Sequence, residues 1–360
     1  MNIGRLCTTL CKIGVACILL SPPGAGLAAQ ADELRFEGVT LRVATWGGAT
    51  RDALRDYVAS KLEERGAKVE FVVGSPQENF AKLIASPGRP PFDLLEFLGT
   101  MKPEIAGRGL LEKLDLARIP NTRFLQPGQF NEYMIPTWNT EEMIVYNVEK
   151  FREHGLPVPQ SLTDLADPRL DARVMIPDIS SGGGIEAVGA FALTAGGDER
   201  NIAPGLELIG RIPNLRFWKA GGEVVTQFKS GDIWAAQAHA GWALRTARAG
   251  VPVATVAPRI GERTGLVKEG YIGAVKGTRN LAAAQFFINT YLSADAQTEF
   301  ALKVGSVPVN PQALEKLAQV ADIRSLVVLD ADRIKDMVRL DADKIDLGQW
   351  SDQWNRMIAR

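Results

Sequence analysis

Apolar residues follow two alternating rhythms along this chain. Short continuous runs give way to runs spaced at i, i+3 and i+4, and the alternation predicts strands interleaved with helices. Residues 41–45 read as a buried strand. A helix over 51–65 follows, with Leu54, Val58 and Leu62 on one face and Gly66 as its stop. Residues 68–73 read as a second strand, 78–85 as a short helix and 92–97 as a third strand, together a right-handed βαβαβ unit. Proline and glycine mark a surface loop over 119–128, and residues 143–147 resume as a strand. The segment 155–160 cannot be helical and opens a new region. Beyond it come strands at 174–176, 233–238 and 253–256, and helices ending at Ala195 and over 242–248, 281–292 and 296–302. The pattern defines an α/β protein without internal repeats.

The amino terminus departs from this rhythm. Arg5 and Lys12 precede the apolar stretch 13–20, a Ser-Pro-Pro-Gly break follows, and Ala29-Gln30-Ala31 offers small residues for cleavage before Asp32. The stretch is too short for a permanent membrane helix. Gly14 stands where a lipid-anchored reading of Cys17 would need leucine, so residues 1–31 read as a cleaved signal peptide. The chain's 3 cysteines, Cys7, Cys11 and Cys17, all fall within it, which leaves a thiol-free mature chain suited to an oxidising compartment. Export moves the formal net charge from −1 to about −3, which gives nucleic acid no basic face to grip. The remaining length suggests two lobes.

Candidate chemistry gathers where strands end, the usual place for ligands in open α/β sheets. Trp46, Gly47 and Gly48 follow the first strand; Leu98, Gly99 and Thr100 follow the third. Ser180-Ser181-Gly182-Gly183-Gly184 precedes a helix. Its bare backbone and helix N-terminus suit an anion, and either serine can cap the helix or donate to an oxyanion; a plain cap is the alternative. Glu186 lies one turn on, the one acidic residue expected in a cleft segment. His239 and Trp242 follow a strand, and Arg245 shares the helix of Trp242, where it can hold a carboxylate or face solvent. Tyr271 is expected to begin a strand after a Lys268-Glu-Gly turn. Neither His154 nor His239 has a partner at metal-ligand spacing, no nucleophile elbow exists, and Glu141 and Glu142, being adjacent, point to different faces. No catalytic set, cofactor or metal site is expected.

Several of these segments, in this order behind an export signal, resemble the periplasmic solute-binding proteins of ABC importers, family 1, spermidine/putrescine type. They are Val43–Trp46, Phe92-Asp-Leu-Leu95, Glu142–Asn147, Gly231-Asp-Ile-Trp234, Lys268–Tyr271 and Gly305–Asn310. The resemblance implies a type II fold: two lobes, each a mixed sheet flanked by helices, joined by crossing strands. The expected division is 32–145 with 272–308 in lobe 1, and 146–271 with 309–360 in lobe 2. It also implies a monomer that captures a small molecule, closes on it and delivers it to an ABC permease with its ATPase subunits. Carried over by position, ligand contacts fall at Trp46, Gly47, Leu98, Gly99, Thr100, the 181–186 segment, Trp242 and Tyr271. Polyamine binders of this type place a carboxylate two residues after the aromatic, but here Tyr271 is followed by Ile272 and Gly273. A small organic anion or zwitterion is therefore expected first and a polyamine second. A ferric-ion-binding protein, whose paired tyrosines are missing among the scattered Tyr57, Tyr133, Tyr146, Tyr271 and Tyr291, and an α/β hydrolase rank behind them.

Overall fold

The computed structural model describes residues 34–358. The expected signal peptide lies outside them. Strand β1 (Thr40–Thr45) sits between β2 (Lys68–Val73) and β3 (Leu94–Leu98), parallel to both, as the first βαβαβ reading requires. The helix between β1 and β2 has a feature that apolar spacing does not encode. Between Ala49–Leu54 and Ser60–Glu63 it widens into a π turn at Arg55–Ala59. Leu54, Val58 and Leu62 are nonetheless all buried.

The middle of the molecule is built on β4 (Ile135–Asn147), far longer than the five residues anticipated. Strands β5 (Val174–Pro177), β6 (Arg216–Trp218), β7 (Ala235–His239) and β8 (Val253–Val256) follow. A small ribbon, β9 (Arg259–Ile260) with β10 (Arg263–Thr264), leads into β11 (Leu266–Ala274), and β12 (Val307–Pro308) comes last. The main sheet has ten strands in the order β2-β1-β3-β11-β4-β7-β5-β6, with β8 and β12 also paired to β4. Parallel triplets at the two ends would each form their own layer. The antiparallel β11 and β4 join them, so the sheet runs through two lobes connected by crossing strands.

Lys268-Glu269-Gly270 is not a turn. It lies inside β11, and Tyr271 is a mid-strand residue paired with Phe97 and Pro136. The sequence reading erred because two charged residues and a glycine carry strong turn signals, whereas here the charges face polar partners across the strand.

The C-terminal tail completes the core. Trp350 and Trp354, one turn apart on the helix Leu347–Ile358, are fully buried among Phe191, Leu206, Leu162 and Ile209. The Trp350 indole N–H donates to the Glu199 carbonyl at 3.0 Å. Leu317, Ile323 and Leu326 pack against Ala240, Leu244 and Met143 in a second cluster.

Candidate functional site

Three neighbouring strands present one polar face. By period-two alternation, Trp138, Thr140 and Glu142 of β4 share that face with Lys268, paired to Thr140, and with His239, paired to Glu142. Trp138 pairs with Gly270, where an added Cβ would sit 2.1 Å from the indole; only glycine lets the ring lie across β11. Trp242 lies over Gly221 in the same way, 1.9 Å from where a Cβ would be, and Trp46 presses its Nε1 towards Gly182. Gly48 takes φ 61°, a left-handed value that glycine adopts without strain as the chain turns from β1 into its helix. With Trp218 from the end of β6, four indoles enclose a chamber of about 680 Å³. Trp46 and Trp138 meet edge to face at 5.5 Å.

The polar groups of this chamber are unevenly satisfied. Lys268 Nζ, 4 % exposed, is 3.0 Å from Glu142 Oε1 and donates to the Gly182 carbonyl at 3.3 Å. Arg245 donates from Nη2 to the Val304 carbonyl at 2.6 Å and stacks 3.9 Å over the Trp242 ring. It has no carboxylate in an ion pair among the described residues, and its Nε is buried without a partner. Burial, and then Arg248, lower its pKa to about 10, so it stays cationic at neutral pH. Thr140 Oγ1, Ser181 Oγ, His239 Nδ1 and Ser306 Oγ are buried and unpartnered as well, and all four residues line the chamber. Burial, Lys268 and Arg245 together push the His239 pKa well below its usual value, so the ring is neutral at pH 7. Unsatisfied buried polar groups each cost about 1–3 kcal/mol, so such a cluster marks a surface that something polar completes.

A second chamber, about 800 Å³, lies on the other side of Lys268, which lines both. Gly99, Thr100, Glu186 and Tyr271 face this one and not the indoles. The placement corrects the expectation of a single cleft. Strand alternation turns Tyr271 away from Gly270 towards Glu269 (3.4 Å) and Lys102 (3.3 Å), with its ring stacked on Phe97. Thr100 donates to Glu186 Oε1 at 3.1 Å. Burial raises the Glu186 pKa to about 7, with Lys268 pulling it down and Glu142 pushing it up.

Of the expected site residues, Trp46, Gly47, Gly48, Ser181, Gly182, His239, Trp242 and Arg245 therefore meet in the indole chamber. Gly183 sits at the divide, where a Cβ would be 3.2 Å from Lys268 Nζ. Two details differ from expectation. Neither serine caps the helix Gly184–Thr194: Gly183 is its N-cap, Ser180 bonds Asp178 Oδ1, and Ser181 Oγ is left free. Nor is Glu186 the one cleft carboxylate, since Glu142 reaches the divide and Glu269 lines the second chamber. Each has its own cation, Lys268 for Glu142 and Arg339, at 3.3 Å, for Glu269. Sequence reasoning missed Trp138, Thr140, Glu142, Trp218, Lys268 and Ser306 as site residues. Thr140 and Glu142 are polar residues two apart in a long buried strand, but Thr137, Asn139 and Glu141 repeat the pattern on the other face, so spacing alone did not single them out. Among the described residues, no three His, Cys, Asp or Glu side chains are placed to hold a metal ion, and no helix is long and apolar enough to cross a membrane.

Two lobes joined by antiparallel crossing strands, with a walled chamber at the junction, define the type II periplasmic-binding-protein fold. The chain belongs to the bacterial extracellular solute-binding protein family, which it matches over residues 57–323. It is 27 % identical over 313 residues to the gamma-aminobutyric acid-binding protein of Pseudomonas aeruginosa, covering 83 % of this chain and 84 % of that one. Solved structures share the fold. A GABA receptor matches with a TM-score of 0.71 at 22 % identity over 89 % of this chain and 97 % of its own. The spermidine/putrescine substrate-binding protein of Streptococcus pneumoniae matches with 0.69 at 18 % over 89 % and 98 %. The protein is the substrate-binding component of an ABC transporter, a class that works outside the cytoplasm and hands its solute to a permease driven by ATPase subunits.

Proposed function

We propose that this protein captures a small ω-amino acid, with GABA the first candidate, in the periplasm after cleavage of a signal peptide at residues 1–31. In this reading the ligand enters between lobe 1 (32–145 with 272–308) and lobe 2 (146–271 with 309–360). It shifts the population towards the closed form, and the monomer then docks on its permease. The carrying observation is Arg245, a buried guanidinium with no carboxylate partner among the described residues, beside four unpartnered polar side chains. A ligand carboxylate supplies the missing charge and accepts the free donors. The indoles of Trp46, Trp138, Trp218 and Trp242 offer faces to an ammonium group at the other end, where a desolvated cation–π contact contributes about 2 kcal/mol. The relatives that bind GABA support the choice of ligand.

Calorimetry on the purified protein tests this. GABA binds saturably, butyrate more weakly for want of the ammonium, and putrescine not at all. Arg245→Met weakens GABA by roughly 10- to 150-fold, the equivalent of about 1.5–3 kcal/mol for a hydrogen-bonded charge. The melting temperature of the ligand-free variant reports any separate loss from the Val304 contact. Tight binding of putrescine with no response to GABA or other ω-amino acids would reverse the assignment.

A further inference from the structure

We infer that Lys268 is a specificity-determining residue: a resident ammonium that fills the cation position between the two chambers and so closes that position to an incoming amine. Two elements meet at its Nζ, and a carboxylate of a third lines the second chamber beside it. Glu142 Oε1 of β4 lies 3.0 Å away, and the Gly182 carbonyl of the glycine-rich turn is 3.3 Å away. Glu186, in the first turn of the helix that follows, lies close enough for the lysine to hold its pKa down. Glu186 Oε2 is buried without a hydrogen-bond partner, and Thr100 satisfies only Oε1. Glu142 and Glu186 are both buried to 2 % exposure or less. Without the lysine the divide is therefore a pair of buried carboxylates, which is the chemistry that holds a primary ammonium. With it, one of the two carboxylates is balanced from within, and an incoming amine meets a like charge beside Glu142.

The location strengthens the assignment. Lys268 lines both chambers, so its side chain lies where they approach one another. Truncation to alanine removes three methylenes and the ammonium, which leaves room of the size of n-propylammonium. The inference rests on the ω-amino-acid reading only for the direction of selection; the amine site behind Lys268 follows from the carboxylates alone.

The test uses Lys268→Ala in the full chain, with thermal melting and calorimetry against n-propylammonium chloride and putrescine. Tetramethylammonium chloride at equal ionic strength is the control, since it carries charge but donates no hydrogen bond. The wild-type protein is indifferent to all three. The variant is stabilised saturably by n-propylammonium and putrescine, with putrescine affinity raised at least about tenfold over wild type. Adding Glu142→Gln to Lys268→Ala removes most of that response. If the alanine variant does not fold alone, refolding in n-propylammonium recovers it and refolding in tetramethylammonium does not. A variant that responds equally to the two ammonium ions, folded or refolding, overturns the inference, as does putrescine binding by the wild type. Failure of the wild type to bind any ω-amino acid would sink the proposed ligand and leave the amine response of the variant standing.

Discussion

Glu141 and Glu142 are neighbours in one strand, and the pleat gives them opposite fates. Glu142 turns to the cleft and meets Lys268, while Glu141 turns beneath the C-terminal tail with both carboxylate oxygens buried and unpartnered. Adjacency in the sequence was enough to separate their faces, but not to show that either face would be dry. Burial raises the Glu141 pKa to about 8, Arg333 pulls it back, and Glu142 adds a smaller push upward. A carboxyl whose pKa is higher folded than unfolded binds more protons in the native state. Its contribution is full below the unfolded value near 4.5, declines as the pH rises, and is lost once the pH passes about 8. Glu141→Gln fixes the neutral form. The melting temperature of the variant therefore falls less than that of wild type between pH 5 and 8, by the equivalent of about 1–3 kcal/mol. The slope that remains is set by Glu96 and Glu186, both raised to about 7 chiefly by burial, and is opposed up to about pH 6.5 by His239, whose lowered pKa makes the unfolded state bind more protons there. Equal pH profiles for the two proteins would mean that Glu141 is already ionised in the fold.

At the scale of elements, strand and helix rhythm located most pieces of the sheet, because burial of one face imposes a period that composition cannot hide. Local signals failed where a partner far along the chain decides the outcome. Trp46 was legible as a cleft residue because its glycines are next to it. Trp138 was not, because the glycine that seats it is Gly270 on another strand. Trp242 is seated by Gly221 at the N-cap of the helix Gly222–Ser230, and Gly221 has φ −60°, which any residue adopts. Gly221→Ala therefore adds a methyl without backbone strain, and that methyl would overlap the indole. The expected cost is about 1–3 kcal/mol of stability. Ligand affinity falls with it, and tryptophan fluorescence shifts as the ring leaves its seat over the glycine. Gly222→Ala is the matched control: a Cβ there meets nothing within 4 Å, so it should leave the fluorescence at its wild-type value and shift stability by no more than the roughly 0.4–1 kcal/mol gain of a Gly→Ala change in a helix. If both variants behave alike, the close approach at Gly221 does not position the ring.

For the whole molecule, the question left open by the sequence was where the tail beyond Pro311 packs, since apolar spacing shows which face is buried but not against what. The structure places it twice. The segment around Leu317 to Leu326 lies against the helix Ala240–Arg248 that carries Trp242 and Arg245, and the last helix sends Trp350 and Trp354 into the cluster around Phe191. Between these anchors the chain supplies Arg339 to Glu269 and sets Leu340 against Gly189, so it also walls the second chamber. The tail thus supports the site from behind without entering the indole chamber. That arrangement separates stability from recognition. Trp350→Ala empties a fully buried indole site and leaves the Glu199 carbonyl without its donor, at a cost of about 3–5 kcal/mol. Its melting temperature drops steeply, yet ligand affinity measured well below that temperature stays within about twofold of wild type, because sites far apart with no shared partner act almost independently. A large loss of affinity in the folded variant would instead mean that the tail sets the geometry of the chamber, and that Arg245 depends on the packing behind its helix.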